Sequence, residues 1–306
     1  MEHIKNSDHS GSPRLENTCI ALGHFDGVHS GHRGVIDLLL AEAKKDGLTS
    51  VLLSYDRDAG SSGPKILTSE EEKAYHLRQD GPSVLLSWPV GDGELSQGRI
   101  GLTERFLKDI LVGALGAKVI VAGKNCPDID LLRAGAGKYG YRLAERDPVL
   151  YQGAPITSAR VMEALENHDI ETAAALLGHP YAIRGKVVRG KQLGRTVGMP
   201  TANIDYPPLK QLPGSGIYGT LAWIDGALRP GMANIGKRPT VDTFDYITVE
   251  NYLLDFSGDL YEKIMTMEIH VFVRDVRKFK DLQEVKEQVN LDIEAARSYF
   301  ERKNSQ

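Results

Sequence analysis

Two stretches of this chain gather residue types that handle phosphate. Near the amino end, Gly23–His32 reads GHFDGVHSGH, with His29 and His32 three apart. The segment that follows carries Val35, Ile36, Leu39, Leu40 and Ala43 on one face and predicts a helix. Free N–H groups and the helix dipole favour an anion at such a start. Two imidazoles added there can hold the α-phosphate of ATP and stabilise charge as pyrophosphate leaves. A metal site made of His24, Asp26, His29 and His32 is the rival reading. The sequence offers no second ligand cluster, which favours phosphate.

The second stretch, residues 183–203, reads IRGKVVRGKQLGRTVGMPTAN. Gly185, Gly190, Gly194 and Gly198 are interleaved with Arg184, Lys186, Arg189, Lys191 and Arg195, and no acid interrupts them. Glycines let the backbone approach a ligand and expose its N–H groups, while the cations balance phosphate charge. Gly185–Lys191 imitates the start of a P-loop, but Gln192 replaces the required Ser or Thr. Gly194, Gly198 and Pro200 also forbid the helix that a P-loop opens. Thr201 and Asn203, two apart, share one face of a strand, where a hydroxyl and an amide oxygen can converge on magnesium. Glu250 sits in the alternating run Thr248–Tyr252, and a carboxylate beside a metal-bound phosphate can accept a proton from an attacking hydroxyl. Taken singly, the bland readings are a ligand-free basic loop, a solvated strand carboxylate at Glu250 and a surface charge at Arg297.

The elements that must position these residues fall into two groups. Apolar runs at 18–22, 51–54, 84–88 and 119–122 alternate with helical patterns, the signature of a parallel, doubly wound sheet. Ser69 is the expected N-cap of a helix reaching Leu77, another helix covers about 103–115, and Glu163–Leu177 reads as one further helix. Past residue 180 glycine and proline become frequent. Runs at 217–224, 248–254 and 265–273 predict strands, with Asp225-Gly226 as a hairpin turn. Leu282, Val285, Val289, Ile293, Ala296 and Phe300 share a face of a closing helix. A β-barrel with one terminal helix is the economical reading of this half.

At 306 residues, 41% hydrophobic and 25% charged, the chain has the composition of a two-domain soluble protein. A formal charge of −4 argues against a general nucleic-acid binder. Two distant cysteines, Cys19 and Cys126, form neither a disulfide framework nor a zinc pattern, which points to the cytoplasm. Residues 1–16 read as a loose polar tail, and no run is apolar enough for a membrane span.

The second half resembles the riboflavin kinase domain through GKVVRGKQLGRTVGMPTANI, GIYG (216–219), ANIGKRPT (233–240) and VENYLLDFSGDLY (249–261). The resemblance implies a six-stranded type of barrel with a terminal helix over 181–303. It also implies that Thr201 and Asn203 bind Mg-ATP, that Glu250 is the general base on the ribityl 5′-hydroxyl, and that Gly185, Gly190, Lys191 and Gly198 cover the nucleotide phosphates. Arg297 becomes a flavin-side contact. GHFDGVHSGH, KILTSEEEK (65–73) and ITSAR (156–160) resemble the FMN adenylyltransferase domain of bacterial bifunctional riboflavin kinase/FAD synthetases. That implies a Rossmann-like nucleotidyltransferase domain over 17–178, with His29 and His32 catalytic. Gly23, Phe25, Asp26, Gly31, Asn125 and Arg160 then bind nucleotide.

Three departures fall inside the adenylyltransferase pattern. Tyr55-Asp56-Arg57-Asp58-Ala59 lacks the family's Pro-His-Pro, and Gly123–Asp128 keeps Asn125 but loses the aromatics that follow it. Met162 stands where the family has an arginine. The expectation is therefore a bifunctional enzyme converting riboflavin to FMN and FMN to FAD. Beside it stand a riboflavin kinase with a degenerate N-terminal domain and a non-catalytic flavin or nucleotide sensor.

Overall fold

The structure is a computed structural model of the whole chain and describes residues 1–6, 13–57, 63–90, 102–190, 199–237 and 247–304. Its contacts divide the chain into two units, Met1–Ser158 and Ala159–Gln306.

The apolar runs of the first unit become neighbouring strands because both of their faces are covered. The strands are β2 (Thr18–Gly23), β3 (Thr49–Arg57), β4 (Val84–Val90), β5 (Ala117–Gly123) and β6 (Arg142–Arg146), all parallel. Ile20, Val51, Leu53, Leu86 and Ile120 point to one side, against α3 (Phe106–Ala114), which is wound as a π-helix, and α4 (Ile129–Tyr139). Cys19, Ala21, Leu52, Leu85 and Val121 point to the other, where α1 (Ser30–Asp46) packs Ile36, Leu39 and Ala43. Strict alternation of buried residues to two faces is what a doubly covered parallel strand requires. Helix α2 (Glu70–His76) starts at Ser69, whose hydroxyl accepts from Glu72 N while Glu72 accepts from Ser69 N, a complete capping box.

The loose tail expected over residues 1–16 is corrected at its beginning. Glu2–Lys5 forms strand β1, parallel to β4, with Glu2 opposite Val84 and Lys5 opposite Ser87. Polarity misleads here because an edge strand is held mainly by backbone pairing. Ile4 packs on the core, and His3 and Lys5 reach Glu70 of α2. The resulting order is β1-β4-β3-β2-β5-β6, and the short β7 (Leu150–Tyr151) and β8 (Ala154–Pro155) pair with each other as a separate antiparallel ribbon. The direction of winding reverses between β2 and β5, and parallel sheets bind ligands in the crevice outside the carboxyl ends of such strands.

The single helix expected over Glu163–Leu177 is two: α5 (Ser158–Glu166) and α6 (Ile170–Leu177). His168 adopts a left-handed φ of 61° between them, and Asp169 caps α6 by accepting from Thr172 N. Tertiary contact drives the break: the His168 ring stacks on Phe272 at 4.2 Å and its Nδ1 lies 2.8 Å from the Tyr218 hydroxyl.

The rest of the second unit is a closed antiparallel barrel. In chain order its strands are β9 (Tyr181–Val188), β10 (Ala202–Asp205), β11 (Gly216–Ile224), β12 (Ala227–Lys237), β13 (Ile247–Leu253) and β14 (Ile264–Arg274). Around the barrel they run β10-β13-β12-β11-β14-β9. Asp225 (φ 51°) and Gly226 (φ 75°) turn β11 into β12, as a type I′ hairpin demands. Helix α7 (Leu282–Asn304) lies on the barrel through Ala296 and Phe300 and is tied to the end of β14 by Arg274, which donates to the buried Asp292 at 2.7 Å.

Barrel closure forces a close approach at Gly185, where a Cβ would lie 1.9 Å from the Asp205 carbonyl oxygen. Backbone cannot yield there as a side-chain tip can. Gly185→Ala is therefore expected to destabilise the second unit by about 1–3 kcal/mol or more, read as a lowered denaturant midpoint.

Candidate functional site

In the first unit the switch-point crevice is built from glycines and one tight turn. The register that sets Ala21 beside Val121 carries β2 and β5 to Gly23 and Gly123 two residues on. Asn125 folds back so that its Oδ1 would be 2.8 Å from a Cβ at Gly123. Past Gly23 the chain turns through Phe25 (φ 49°), Gly27 (φ 82°) and Val28 (φ 44°). Left-handed φ at an aromatic and a β-branched residue is strained and needs outside restraint. The restraint comes from Asp26, whose carboxylate accepts from Leu67 N (3.0 Å) and Thr68 N (2.9 Å), and from Thr68, whose hydroxyl accepts from Gly27 N. The Asp26 side chain thus holds the turn to the segment before α2.

The turn delivers both histidines to the start of α1. His29 is the N-cap, its Nδ1 accepting from His32 N at 3.1 Å, which leaves its ring proton on Nε2. The two rings stack at 3.6 Å and 12°, and Phe25 meets His32 edge-on at 5.3 Å. Gly31 leaves the room this needs, since a Cβ there would lie 3.0 Å from the His29 ring. Burial, then the neighbouring His29, Lys73 and His24, push the His32 imidazole well below its ordinary pKa. His32 is neutral at physiological pH, and its buried Nδ1 has no partner within the described protein. Neutral rings at a helix start, one with an unsatisfied nitrogen, suit hydrogen bonding to a phosphate.

The sequence reading missed Thr68, Ser54 and Lys73. Lys73 is 2% exposed and donates to Ser54 Oγ, which donates to the His24 carbonyl. Nothing in KILTSEEEK marks that lysine as buried, because helix α2 is short and lysine is ordinarily a surface residue.

In the second unit, β10 runs between β9 and β13, with Asn203 opposite Val188 on one side and Glu250 on the other. Directly opposed residues share a face, so the amide and the carboxylate are neighbours. Thr201, just before β10, donates from Oγ1 to Glu250 Oε2 at 3.4 Å. Gly190 lies against the same group: a Cβ there would be 2.4–2.6 Å from the Asn203 amide atoms. Asn234 of β12 faces Glu250 from the far side, a residue the sequence reading quoted within ANIGKRPT but did not single out. Thr201, Asn203 and Glu250, all half-buried, present hard oxygens of the kind that hold magnesium.

The remaining predicted residues are more scattered. Gly185 is within β9, opposite Met265. Arg297 on α7 donates to both oxygens of Asp255 (2.8 and 2.7 Å). Arg160 stands on α5, in the second unit. Lys191 and Gly198 lie outside the described residues.

The riboflavin kinase family model matches residues 177–300 and the FAD synthetase model matches residues 12–160. The chain is 32% identical over 315 residues to the bifunctional riboflavin kinase/FMN adenylyltransferase of Escherichia coli strain K12, covering 98% of each. It is 31% identical over 319 residues to the protein of the same description from Bacillus subtilis strain 168, covering 97% of each. A solved structure described as a macrolide-efflux protein from Streptococcus pneumoniae matches with a TM-score of 0.82 at 25% identity, covering 97% of this chain and 99% of that one. No helix among the described residues of this chain is long and apolar enough to cross a membrane. With both family models matched in order and full-length relatives above 30% identity, this chain belongs to the bifunctional riboflavin kinase/FMN adenylyltransferase family.

Proposed function

We propose that the barrel unit phosphorylates riboflavin to FMN with ATP, and that the parallel-sheet unit transfers the adenylyl group of a second ATP to FMN, giving FAD and pyrophosphate. Two full-length relatives bearing both activities in their descriptions support the pairing. The observation that carries the kinase half is the convergence of Thr201, Asn203 and Gly190 on Glu250. Glu250 takes the proton of the riboflavin 5′-hydroxyl as its oxygen attacks the γ-phosphorus and the bond to the β,γ-bridging oxygen breaks, its electron pair leaving on ADP. Thr201 and Asn203 hold Mg-ATP, and Gly190, having no Cβ, leaves room for the Asn203 amide beside it. Magnesium bound there offsets the charge of the phosphate oxygens. Gly185, Lys191 and Gly198 are assigned to the segment over the phosphates, and Arg297 to the flavin side.

For the adenylyltransferase half, the stacked His29 and His32 at the start of α1 carry the proposal. They donate to the α-phosphate, while Gly23, Phe25, Asp26, Gly31 and Asn125 shape the nucleotide site of this unit; Arg160 is assigned separately as a nucleotide contact. The departures at 55–59 and 124–128 are assigned to the flavin side, with Asn125 kept for the nucleotide. We assign functional spans of 17–178 and 181–303 and, with Cys19 and Cys126 both free thiols, a cytoplasmic setting.

Glu250→Gln keeps the shape of the side chain but cannot accept the proton. FMN formation should fall by roughly 10²–10⁴-fold with ATP binding little changed, and near-full turnover would remove the assignment. Asn203→Ala should raise the magnesium concentration needed for half-maximal FMN formation, whereas an unaltered titration would put the metal elsewhere. Given FMN and Mg-ATP, the Glu250→Gln protein should still make FAD, and the same protein also carrying His32→Ala should not. FAD from neither, with ATP still bound, would leave a riboflavin kinase with a repurposed first unit.

A further inference from the structure

Most cations at the carboxyl edge of the first unit's sheet are engaged. Lys124, just past β5, pairs with Asp147 at 2.8 Å. Arg33, in the first turn of α1, donates to the carbonyls of Asp80 (3.0 Å) and His76 (3.4 Å). Lys73 is buried and bonded to Ser54. Arg146 differs. It ends β6 opposite Gly123, and its acidic neighbours are taken, Glu145 by Arg133 and Asp147 by Lys124. Its side chain is exposed, and among the described residues the guanidinium has no hydrogen-bond or ion-pair partner.

The side chain nevertheless has a fixed course. A Cβ at Gly34 would lie 3.4 Å from Arg146 Nε, so the stem runs along the first turns of α1. Gly34 is about 4.5 Å along the helix axis from Gly31. The chain after β6 lines the same turn: the Ile156 carbonyl would be 3.2 Å from a Cβ at Gly31, and Ile156 N donates to the Val149 carbonyl at 3.0 Å. An unpaired guanidinium therefore stands one helical turn from the histidine pair.

The chemistry of the site calls for such a group. In adenylyl transfer an FMN phosphate oxygen bonds to the α-phosphorus of ATP as the bond to the bridging oxygen breaks, and the electron pair leaves on pyrophosphate. Neutral imidazoles and helix N–H groups donate hydrogen bonds to this anion but supply no full charge. We propose that Arg146 binds the β,γ-phosphate tail of ATP and stabilises pyrophosphate as it departs, a role that rests on the adenylyltransferase reading of the first unit. The planar fork of arginine matches phosphate oxygens and is charged at every relevant pH.

The test is steady-state FAD formation from FMN and Mg-ATP by full-length Arg146→Gln and Arg146→Lys proteins, with riboflavin phosphorylation by the same samples as the control for folding. Arg146→Gln should raise the KM for ATP roughly 10–100-fold and weaken inhibition by inorganic pyrophosphate by a similar factor. The KM for FMN and inhibition by AMP, which lacks the tail, should hold within about twofold of the parent. Arg146→Lys, retaining charge without the fork, should fall between. Unchanged ATP and pyrophosphate dependence in Arg146→Gln, alongside loss of FAD formation in His32→Ala, would overturn the role of Arg146 alone. A parent protein that makes no FAD would overturn the reading beneath it as well.

Discussion

Asn203 is opposite Val188 on one edge of β10 and Glu250 on the other, and this double pairing both closes the barrel and sets Asn203 and Glu250 on one face. A slip of one residue would send Asn203 and Glu250 to opposite faces, because side chains alternate with a period of two. Register is pinned nearby by Gly185, which admits the Asp205 backbone at a distance no Cβ tolerates. The short β10 owes its position to these approaches more than to its own four residues. Gly190 and Gly185 thus differ in kind: one yields room to an amide side chain, the other to main chain.

The first unit solves a different problem, holding a strained turn at the end of β2. Three residues with positive φ bring His29 and His32 to the helix start, and the backbone N–H groups of Gly27, Leu67 and Thr68 are consumed in keeping them there. Strain of this kind, of order 1–3 kcal/mol per residue, persists only where neighbours over-determine the conformation. The half-buried, neutral His32, with its Nδ1 fully buried, follows from the packing of Phe25 and His29 around it.

Family membership and local chemistry speak to different scales. Similarity over 98% of the chain covers regions that match the family motif by motif and regions, such as 55–59, that do not. The turn after β2 depends on backbone geometry and on the Asp26 and Thr68 side chains, none of which lies in 55–59.

Much of this was legible in residue order alone. Apolar runs of four or five residues marked β2 to β5 because both their faces are buried, and Ser69 with Glu72 marked the start of α2. Asp225-Gly226 announced a hairpin because only such residues accept two positive φ angles in succession. The spacing of Thr201 and Asn203, and of His29 and His32, foretold shared faces and a helix start. Other features had no signal of their own. Strand β1 is polar and exists through pairing with β4, and the break at His168 depends on Phe272 and Tyr218, far along the chain. Lys73 reads as a surface lysine until Ser54 receives it, and Asn234 and Arg146 gain meaning only from the strands and helix beside them. Local sequence sets period and turn, whereas partners distant in the chain are chosen by which surfaces meet when the two cores close.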